Sequence, residues 1–512
     1  MMPQSTVADR PLAMPGWDVT SEAPLGLWET LRRSGDFLAR HLQELVPGQT
    51  AAFWLGLITM IVVGFDTKRL VTRRIVFLTL QFIPALLVFD LDRQGSQFHD
   101  VVAWSRFGHL TLLLMLIQVV TVLWALSIRI RKQVDHEPVI GRPLLRLVAL
   151  LFLLLSCGAA IESQGADSSI YTNWGAQRLR ERGLLPYGDP WLRQGTATAY
   201  GPAIYLMLIP AQVLTYPEAL NPPVDLPESY AFSRGLPVRA TICVLLIIGF
   251  FGLVALGRKL GDRRTGWALA ALVFSSPFVL GIGGPGSTVA GAGNISDTAP
   301  FVFLVLAFLW LERRPALAGL SLAQATAAGF FPLLIVPPML IWLKGRGNGV
   351  LRFLTAYAVL GAAYLAWVLM FTETPQDGSK SALTVFMDCT FGVQTRANDP
   401  ANQLVGYGDS PFGFWGSHPD WRDAFLGRPG AAETVWWGHL TLLVLVAFAT
   451  LRARGRSFAG LLMVCGAVVL GFQLLRTHAS GTHLMWAIPL LIGPLLARRA
   501  SVAVTDAATT TA

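Results

Sequence analysis

Charged residues are scarce in this sequence. Only 14% of its 512 residues are Asp, Glu, Lys or Arg, whereas a soluble globular chain carries about 25%. Hydrophobic residues make up 53% of the chain, and its mean hydropathy is +0.52. Each charged side chain at the centre of a bilayer costs roughly 2.5–3.5 kcal/mol. The composition therefore predicts a chain that lies mostly in hydrocarbon, without a soluble domain large enough to fold alone.

Cysteines and nucleotide-binding motifs are also lacking. The four cysteines show neither a disulfide framework nor the spacing of a zinc site. No P-loop or dinucleotide fingerprint lies between a strand and a helix, and the Gly-rich run 281–286 separates two apolar segments. We therefore expect no nucleotide cofactor and assign no metal-ligating residue, and a divalent cation stays open as a cofactor.

The positive charge of the chain indicates topology rather than nucleic-acid binding. The formal net charge is +9, and the Lys and Arg residues occur in short runs between apolar segments. Such runs fix the orientation of membrane helices. We therefore expect the lipid bilayer, and no nucleic acid, as a partner. The basic runs predicted to face the cytoplasm are 68–74, 129–132, 258–264, 313–314, 344–346, 452–456 and 498–499.

Apolar segments recur along the whole chain. A helix that crosses a bilayer needs about 20 mostly apolar residues. The sequence therefore predicts an all-α, polytopic transmembrane helical bundle with about 12–14 membrane segments. The segments are 50–65, 75–91, 109–128, 145–161, 200–216, 238–256, 266–282, 298–311, 316–331, 332–343, 354–371, 435–451, 457–475 and 484–497.

The remaining connections are predicted to face outward, and they concentrate polar, aromatic, Gly and Pro residues. The charge rule leaves one conflict. A single crossing would take the chain from the outward loop at 162–199 to the cytoplasmic basic run at 258–264, but two apolar segments lie between them. Either segment 200–216, which contains Pro202 and Pro210, does not cross fully, or the basic run breaks the rule. The outward connections are 162–199, 283–297, 372–434 and 476–483.

Four regions follow from this pattern. Residues 1–48 form an N-terminal tail with an amphipathic helix, which either lies on the membrane surface or packs against the protein. Residues 49–144 form an additional N-terminal transmembrane module, and residues 145–499 form the main transmembrane domain. Residues 500–512 form a short polar tail that is predicted to be disordered.

The first outward loop carries the clearest motifs. Asp167 and Tyr171 are four residues apart and share one face of a predicted helix. Leu-Pro-Tyr187 follows, and Tyr200-Gly-Pro-Ala-Ile-Tyr205 opens the next apolar segment. A capped helix with interfacial aromatics gives the same pattern, so the residues alone leave a structural and a functional interpretation open.

The order of these motifs resembles the GT-C superfamily of membrane glycosyltransferases, which use a sugar carried on a polyprenyl phosphate. Two later stretches, Gly293-Asn-Ile-Ser-Asp297 and His478-Ala-Ser-Gly-Thr-His483, are similar to later motifs of that superfamily. The resemblance runs from about residue 145 to residue 499. Two features depart from it, since residues 50–128 precede the first motif and Asp167 is followed by Ser168 rather than a second acid.

The resemblance implies transfer of mannose or another hexose from a polyprenyl-phosphate carrier to an extracytoplasmic lipid or glycan acceptor. It implies an inverting reaction with Asp167 as the general base, in a multi-pass protein of a bacterial inner (cytoplasmic) membrane whose active site faces outward. Cationic side chains would stabilise the leaving phosphate, with Lys380 as a further candidate. The predicted substrate-binding residues are Tyr171, Tyr187, Tyr200, Tyr205, Asp297, Arg396, Arg476, His478 and His483.

Each assignment has a structural alternative. Asp167 and Asp297 could cap helices, Asp297 the one predicted from residue 298, while Arg476 could reach the membrane interface and His483 could simply be packed. The alternative functions are a transporter or flippase, or a polymerase or ligase, of lipid-linked glycans. Transporters usually carry ionisable residues at mid-membrane depth and show repeated halves. This sequence shows no repeated halves and places its ionisable groups at the outward edge.

Overall fold

The computed structural model describes residues 142–162, 167–188, 200–215, 235–280, 293–375, 378–392, 435–475 and 483–497. These residues are predominantly helical, and apart from one isolated bridge between Leu185 and Thr372 they contain no strand. The predicted tails at 1–48 and 500–512 lie outside the described residues, as does the module 49–144 except for its last three residues. The all-α prediction is confirmed for the described part.

Fourteen α-helices, two 3₁₀ segments and one π turn follow one another along the described ranges. The 3₁₀ segments are Phe331–Ile335 and Leu484–Trp486, and the π turn is Asp388–Gly392. The helices are α1 (Arg142–Glu162), α2 (Asp167–Arg182), α3 (Pro202–Thr215), α4 (Leu236–Leu260), α5 (Arg263–Phe274), α6 (Pro277–Leu280), α7 (Ile295–Trp310), α8 (Pro315–Gly329), α9 (Val336–Leu343), α10 (Gly349–Phe371), α11 (Ala382–Met387), α12 (Val435–Ala453), α13 (Phe458–Leu475) and α14 (Ile488–Leu496).

Three of the described helices are long and apolar enough to cross a membrane, judged by length and composition: Arg142–Ile161, Leu236–Leu260 and Gly349–Phe371. The last of these buries only 11% of its most apolar window inside the protein. Its outer face exposes large side chains such as Leu351, Val359 and Met370. A continuous apolar surface of this kind marks contact with lipid or with another protein.

Contacts at the helix ends show that the long helices alternate in direction. The end of α1 lies beside the start of α4, where the Cys243 thiol donates to the Cys157 carbonyl over 3.8 Å. The end of α4 meets the end of α7 through an ion pair of 3.0 Å between Lys259 and Glu312. We therefore name the two faces of the bundle the Lys259 end and the Asp297 end, since Asp297 lies in the first turn of α7.

The Lys259 end gathers four of the basic runs that the sequence assigns to one side of the membrane. Glu312 pairs with Lys259 from α4 and lies 3.9 Å from the guanidinium of Arg346. The Trp342 indole donates to the Arg456 carbonyl over 2.9 Å. These contacts bring the runs 258–264, 313–314, 344–346 and 452–456 to a common face, as a consistent topology requires.

The contacts at the helix ends favour one of the two alternatives for segment 200–216. Helix α1 ends and α4 begins at the Asp297 end, so α3 between them returns the chain to the side from which it came. Helix α3 has 14 residues and is about 21 Å long, shorter than a hydrocarbon core of about 30 Å. It packs on the polar helix α2, where Gln212 donates to Asn173 over 2.8 Å. The incomplete crossing is the alternative that this geometry favours.

Several helix boundaries differ from the predicted segments, and proline explains most differences. The predicted segment 266–282 is divided into α5 and α6 at Ser275 and Ser276, directly before Pro277. The segment 332–343 begins as a 3₁₀ turn that contains Pro332, and 484–497 begins as another before Pro489. Proline lacks the amide hydrogen that would continue the preceding helix.

Candidate functional site

The polar helix α2 begins the candidate site at the Asp297 end. Asp167 is its first residue and Tyr171 lies one turn later, so the predicted helix is confirmed; both side chains lie outside the described atoms. Although α2 is polar overall, its residues Thr172 and Asn173 are buried. The helix packs along α3 and also contacts α4 and α7. Asp167 is therefore carried by a helix fixed against the core rather than by a free loop.

The loop after α2 is joined to the end of α10. The Leu185 amide donates to the Phe371 carbonyl over 2.8 Å, and Arg178 forms an ion pair with Glu373. Gly188 has φ +85, and a Cβ atom there would lie 2.5 Å from the Glu373 carbonyl oxygen. Position 188 requires glycine because its φ is positive and because a Cβ atom has no room there. The first and third predicted outward loops thus meet.

Two of the predicted tyrosines, one in the loop after α2 and one in α3, pack against each other. Tyr187 and Tyr205 are fully buried, with ring centres 6.0 Å apart in an edge-to-face arrangement. The Tyr187 hydroxyl donates to the Tyr200 carbonyl over 2.7 Å. Burial raises the pKa of the Tyr187 phenol well above its usual value, so it remains a hydrogen-bond donor. The described contacts of both rings hold the loop against α3.

Asp297 and His483 form a buried hydrogen-bonded pair. Asp297 is fully buried, and its Oδ1 contacts Nδ1 of His483, whose side chain is 11% exposed. An ionised carboxylate can only accept a hydrogen bond, so the contact fits His483 with a proton on Nδ1. The Asp297 Oδ2 atom has no hydrogen-bond partner within the described residues. The second and fourth predicted outward loops therefore meet at this pair.

A stack of aromatic rings fixes the histidine. The rings of His483 and Trp486 are parallel within 8° with centres 4.5 Å apart. The other face of Trp486 stacks on Phe331, with centres 4.0 Å apart. The Trp486 indole donates to the backbone carbonyl of Asp297 over 2.9 Å. Both members of the buried pair are thus held by the same tryptophan, which limits their movement.

The helix that carries Asp297 is capped by another residue. Asn294 is the N-cap of α7, and its side chain accepts a hydrogen bond from the Ser296 amide over 3.2 Å. The predicted start at residue 298, with Asp297 as the cap, is therefore wrong. Asparagine is one of the strongest N-cap residues. Because Asn294 caps the helix, the Asp297 carboxylate is available to bind His483. The carboxylate still lies in the first turn, where the helix dipole favours negative charge.

No relative identifies the site. Comparison with protein-family models, with curated proteins and with solved structures finds no match to this chain.

The structure brings five of the predicted site residues into two neighbouring groups. Tyr187, Tyr200 and Tyr205 form the first group, and Asp297 with His483 forms the second. Lys380 is ion-paired with Asp388 over 2.5 Å. Arg396, Arg476 and His478 lie outside the described residues.

Charged side chains of the described apolar helices lie near helix ends. Helix α4 carries Arg239 in its first turn and Lys259 in its last, and α7 carries Asp297 in its first turn. Within the described part, α8, α9, α13 and α14 contain no charged residue. The described residues also contain no group of three or more His, Cys, Asp or Glu side chains placed to hold a metal ion. Charge is thus concentrated at the two faces of the bundle.

Sequence reasoning missed three residues of the site. Trp486 lies three residues after His483, and its position between two rings depends on Phe331, which is distant in sequence. Asn294 was quoted in a motif but not recognised as the cap. Gln473 is fully buried in α13 and has no hydrogen-bond partner within the described chain. A lone amide in an apolar run of 18 residues was the signal that could have identified it.

Proposed function

We propose that this protein is a polytopic membrane glycosyltransferase. It would move mannose or another hexose from a polyprenyl-phosphate carrier to an extracytoplasmic lipid or glycan acceptor. The observation that carries the proposal is the buried Asp297–His483 pair, which lies at the end of the bundle where α2 begins with Asp167. A buried polar pair at one end of an apolar bundle suits a substrate with a polar headgroup and an apolar chain.

The reaction would be a single inverting displacement. Asp167 would take the proton of the acceptor hydroxyl while the hydroxyl oxygen forms a bond to the anomeric carbon. The bond from that carbon to the phosphate oxygen would break, and polyprenyl phosphate would leave with the bonding electrons. Cationic or donating groups near the leaving oxygen would stabilise its charge; Arg396, Arg476 and His478 are the candidates by sequence.

His483 is the candidate that the described structure places in a defined setting. Its Nδ1 atom faces Asp297 and its ring is stacked on Trp486. A cationic ring held in this way would attract a phosphate without the entropy cost of ordering a flexible side chain.

The placement of charge favours the transferase over a transporter. Transporters usually carry ionisable groups near mid-membrane depth, where substrate and coupling ion bind. In the described apolar helices the charged residues lie near helix ends, as Asp297 and Lys259 do. A site at the membrane surface is where a lipid-linked sugar and a water-soluble acceptor can meet.

Orientation follows from the basic runs. We propose that the Lys259 end, which gathers Lys259, Arg346 and Arg456, faces the cytoplasm of a bacterial inner membrane. The Asp297 end then faces outward, so that the reaction proceeds without nucleotide. The transmembrane domain would comprise α1 and the helices from α4 onward except α11, with α2, α3 and α11 at the outer surface.

Transfer by membranes that contain an Asp167→Asn variant tests the proposal. We expect the rate of sugar transfer from a polyprenyl-phosphate donor to fall by roughly 10²–10⁴-fold, the usual contribution of a general base, at unchanged protein level. The matched control is Asp262→Asn. Asp262 caps α5 at the opposite end of the bundle, and asparagine caps a helix equally well, so its rate should not change.

Two results would count against the transferase. The first is an undiminished transfer rate in the Asp167→Asn membranes. The second is movement of lipid-linked sugar across vesicles that contain the purified protein and no acceptor, which would favour the transporter.

A further inference from the structure

Gln473 is a buried amide that has no hydrogen-bond partner among the described residues. Its side chain is 0% exposed, and neither its Oε1 nor its Nε2 atom has a hydrogen-bond partner within the described chain. The residue lies near the end of α13, whose other residues are almost all apolar. An unsatisfied buried polar group costs about 1–3 kcal/mol. A ligand that pairs with the amide would remove this cost.

The helical repeat shows where Gln473 points. It lies seven residues after Gly466, and seven residues complete nearly two helical turns, so both face the same direction. A Cβ atom at Gly466 would lie 2.8 Å from Leu491 of α14, so this face of α13 meets the C-terminal segment. Since α14 runs antiparallel to α13, Gln473 is level with the 3₁₀ turn Leu484–Trp486, and α13 contacts that turn.

The same 3₁₀ turn is contacted by two other elements that bring unpaired polar atoms. Helix α7 contacts it and carries Asp297, whose buried Oδ2 atom has no partner in the described structure. Helix α6 also contacts it and follows Ser276, whose buried hydroxyl likewise has none among the described residues. Three sequence-distant elements that carry or adjoin buried polar atoms without a partner in the described structure thus contact one turn.

We propose that Ser276, Asp297 and Gln473 form a binding subsite for a neutral, hydroxyl-rich ligand, the sugar ring of the lipid-linked donor. This inference rests on the proposed function. The amide can donate two hydrogen bonds and accept others, the carboxylate oxygen accepts, and the serine hydroxyl does either. Adjacent hydroxyls of a pyranose ring offer donors and acceptors in the same mixture.

The charge balance favours a neutral ligand over an ion. The Asp297 carboxylate is already hydrogen-bonded to His483 and lies at the positive end of the α7 dipole. A cation would be repelled by the dipole and by a protonated imidazole. An anion in direct contact with the Oδ2 atom of Asp297 would be repelled by that carboxylate. Ser276 and Gln473 add polarity without charge.

Binding of simple glycosides tests the subsite without any transfer reaction. The probes are methyl α-mannoside, methyl α-glucoside and methyl α-galactoside, followed by saturation-transfer difference NMR. The full-length protein is held in nanodiscs of phosphatidylglycerol and phosphatidylcholine, because glycoside detergents would compete. We expect saturation transfer to the ring protons of at least one glycoside.

The decisive variant is Gln473→Met, which nearly keeps the side-chain volume and removes both polar atoms. It should weaken glycoside binding about tenfold and also raise the Tm without ligand, because an unsatisfied amide is removed. The matched control is Gln324→Met in α8. Gln324 accepts a hydrogen bond from Tyr364 over 2.6 Å, so its replacement should lower the Tm and leave binding unchanged.

The outcomes separate this subsite from the proposed reaction. If no glycoside binds, or if Gln473→Met binds as the wild type does, the subsite is refuted, while transfer that depends on Asp167 still supports the transferase. A different result is that the protein binds a glycoside, that Gln473→Met and Ser276→Ala both weaken this binding, and that the protein transfers no sugar. That result supports the subsite and refutes the transferase. In a working transferase, Gln473→Met should raise the KM for the lipid-linked donor about tenfold.

Discussion

The ammonium group of Lys259 lies 3.7 Å from the centre of the Phe458 ring. This contact joins α4 to α13 at the Lys259 end. Lys259 also donates to the Phe308 carbonyl over 3.3 Å and pairs with Glu312. Several weak interactions thus compensate for the partial burial of one charge.

A double-mutant cycle should detect the contact between Lys259 and Phe458. We expect Lys259→Met and Phe458→Leu to show a coupling of about 0.5–2 kcal/mol in the free energy of unfolding, because a partly desolvated cation attracts the ring face. The measurement is unfolding by SDS in mixed micelles. The matched control is the exposed pair Arg452 and Phe448, where the separation is 5.1 Å and the coupling should be smaller. Equal coupling in both cycles would contradict this account.

The Asp297–His483 pair should be coupled more strongly. His483→Leu leaves a buried carboxylate without its partner and should lower the free energy of unfolding by about 3–5 kcal/mol. Adding Asp297→Leu to that variant should recover most of the loss, since no unpaired charge remains buried. The same SDS titration gives both values. A double variant no more stable than His483→Leu alone would show that the histidine acts through packing on Trp486.

Gly201 should tolerate no side chain. A Cβ atom there would lie 1.9 Å from the Ala327 carbonyl oxygen, so α3 and the end of α8 would have to separate. We expect Gly201→Ala to lower the free energy of unfolding by about 1–3 kcal/mol. In contrast, Gly361 has no atom within 4 Å of its Cβ position, and Gly361→Ala should stabilise α10 by up to about 1 kcal/mol. Thermal unfolding of both variants measures these opposite effects.

The topology can be measured with single cysteines in a background that lacks the four native ones. A membrane-impermeant maleimide added to intact cells should label Thr374→Cys at the Asp297 end and leave Asn348→Cys at the Lys259 end unlabelled until the cells are opened. Glu218→Cys, between α3 and α4 in sequence, should be labelled like Thr374→Cys because α3 returns to the same side. Labelling of Glu218→Cys only after lysis would mean that α3 crosses the membrane.

Much of the fold could be predicted because hydropathy is a local signal. The predicted segments 354–371 and 457–475 correspond to α10 and α13 within a few residues. The conflict around segment 200–216 was visible in the basic residues alone. It could not be settled there, because the answer depends on which ends of α1 and α4 lie together, and that is a contact between distant residues.

The candidate site could be predicted only in part. Asp297 and His483 were both identified from the sequence, but 186 residues separate them and nothing local shows that they pair. The alternative in which Asp297 caps a helix is wrong, because Asn294, three residues earlier, is the N-cap of α7. The binding role proposed for Gln473 depends on its lack of a hydrogen-bond partner among the described residues. Only the packed structure can show this.

The ring stack at Trp486 has a consequence for selectivity. His483 covers one face of the indole and Phe331 covers the other, so neither face remains to receive the apolar side of a sugar ring. Recognition near this tryptophan would depend on the direction of individual hydroxyl groups. Two hexoses that differ only in an axial or equatorial hydroxyl would then differ in affinity far more than two that differ in a distant substituent.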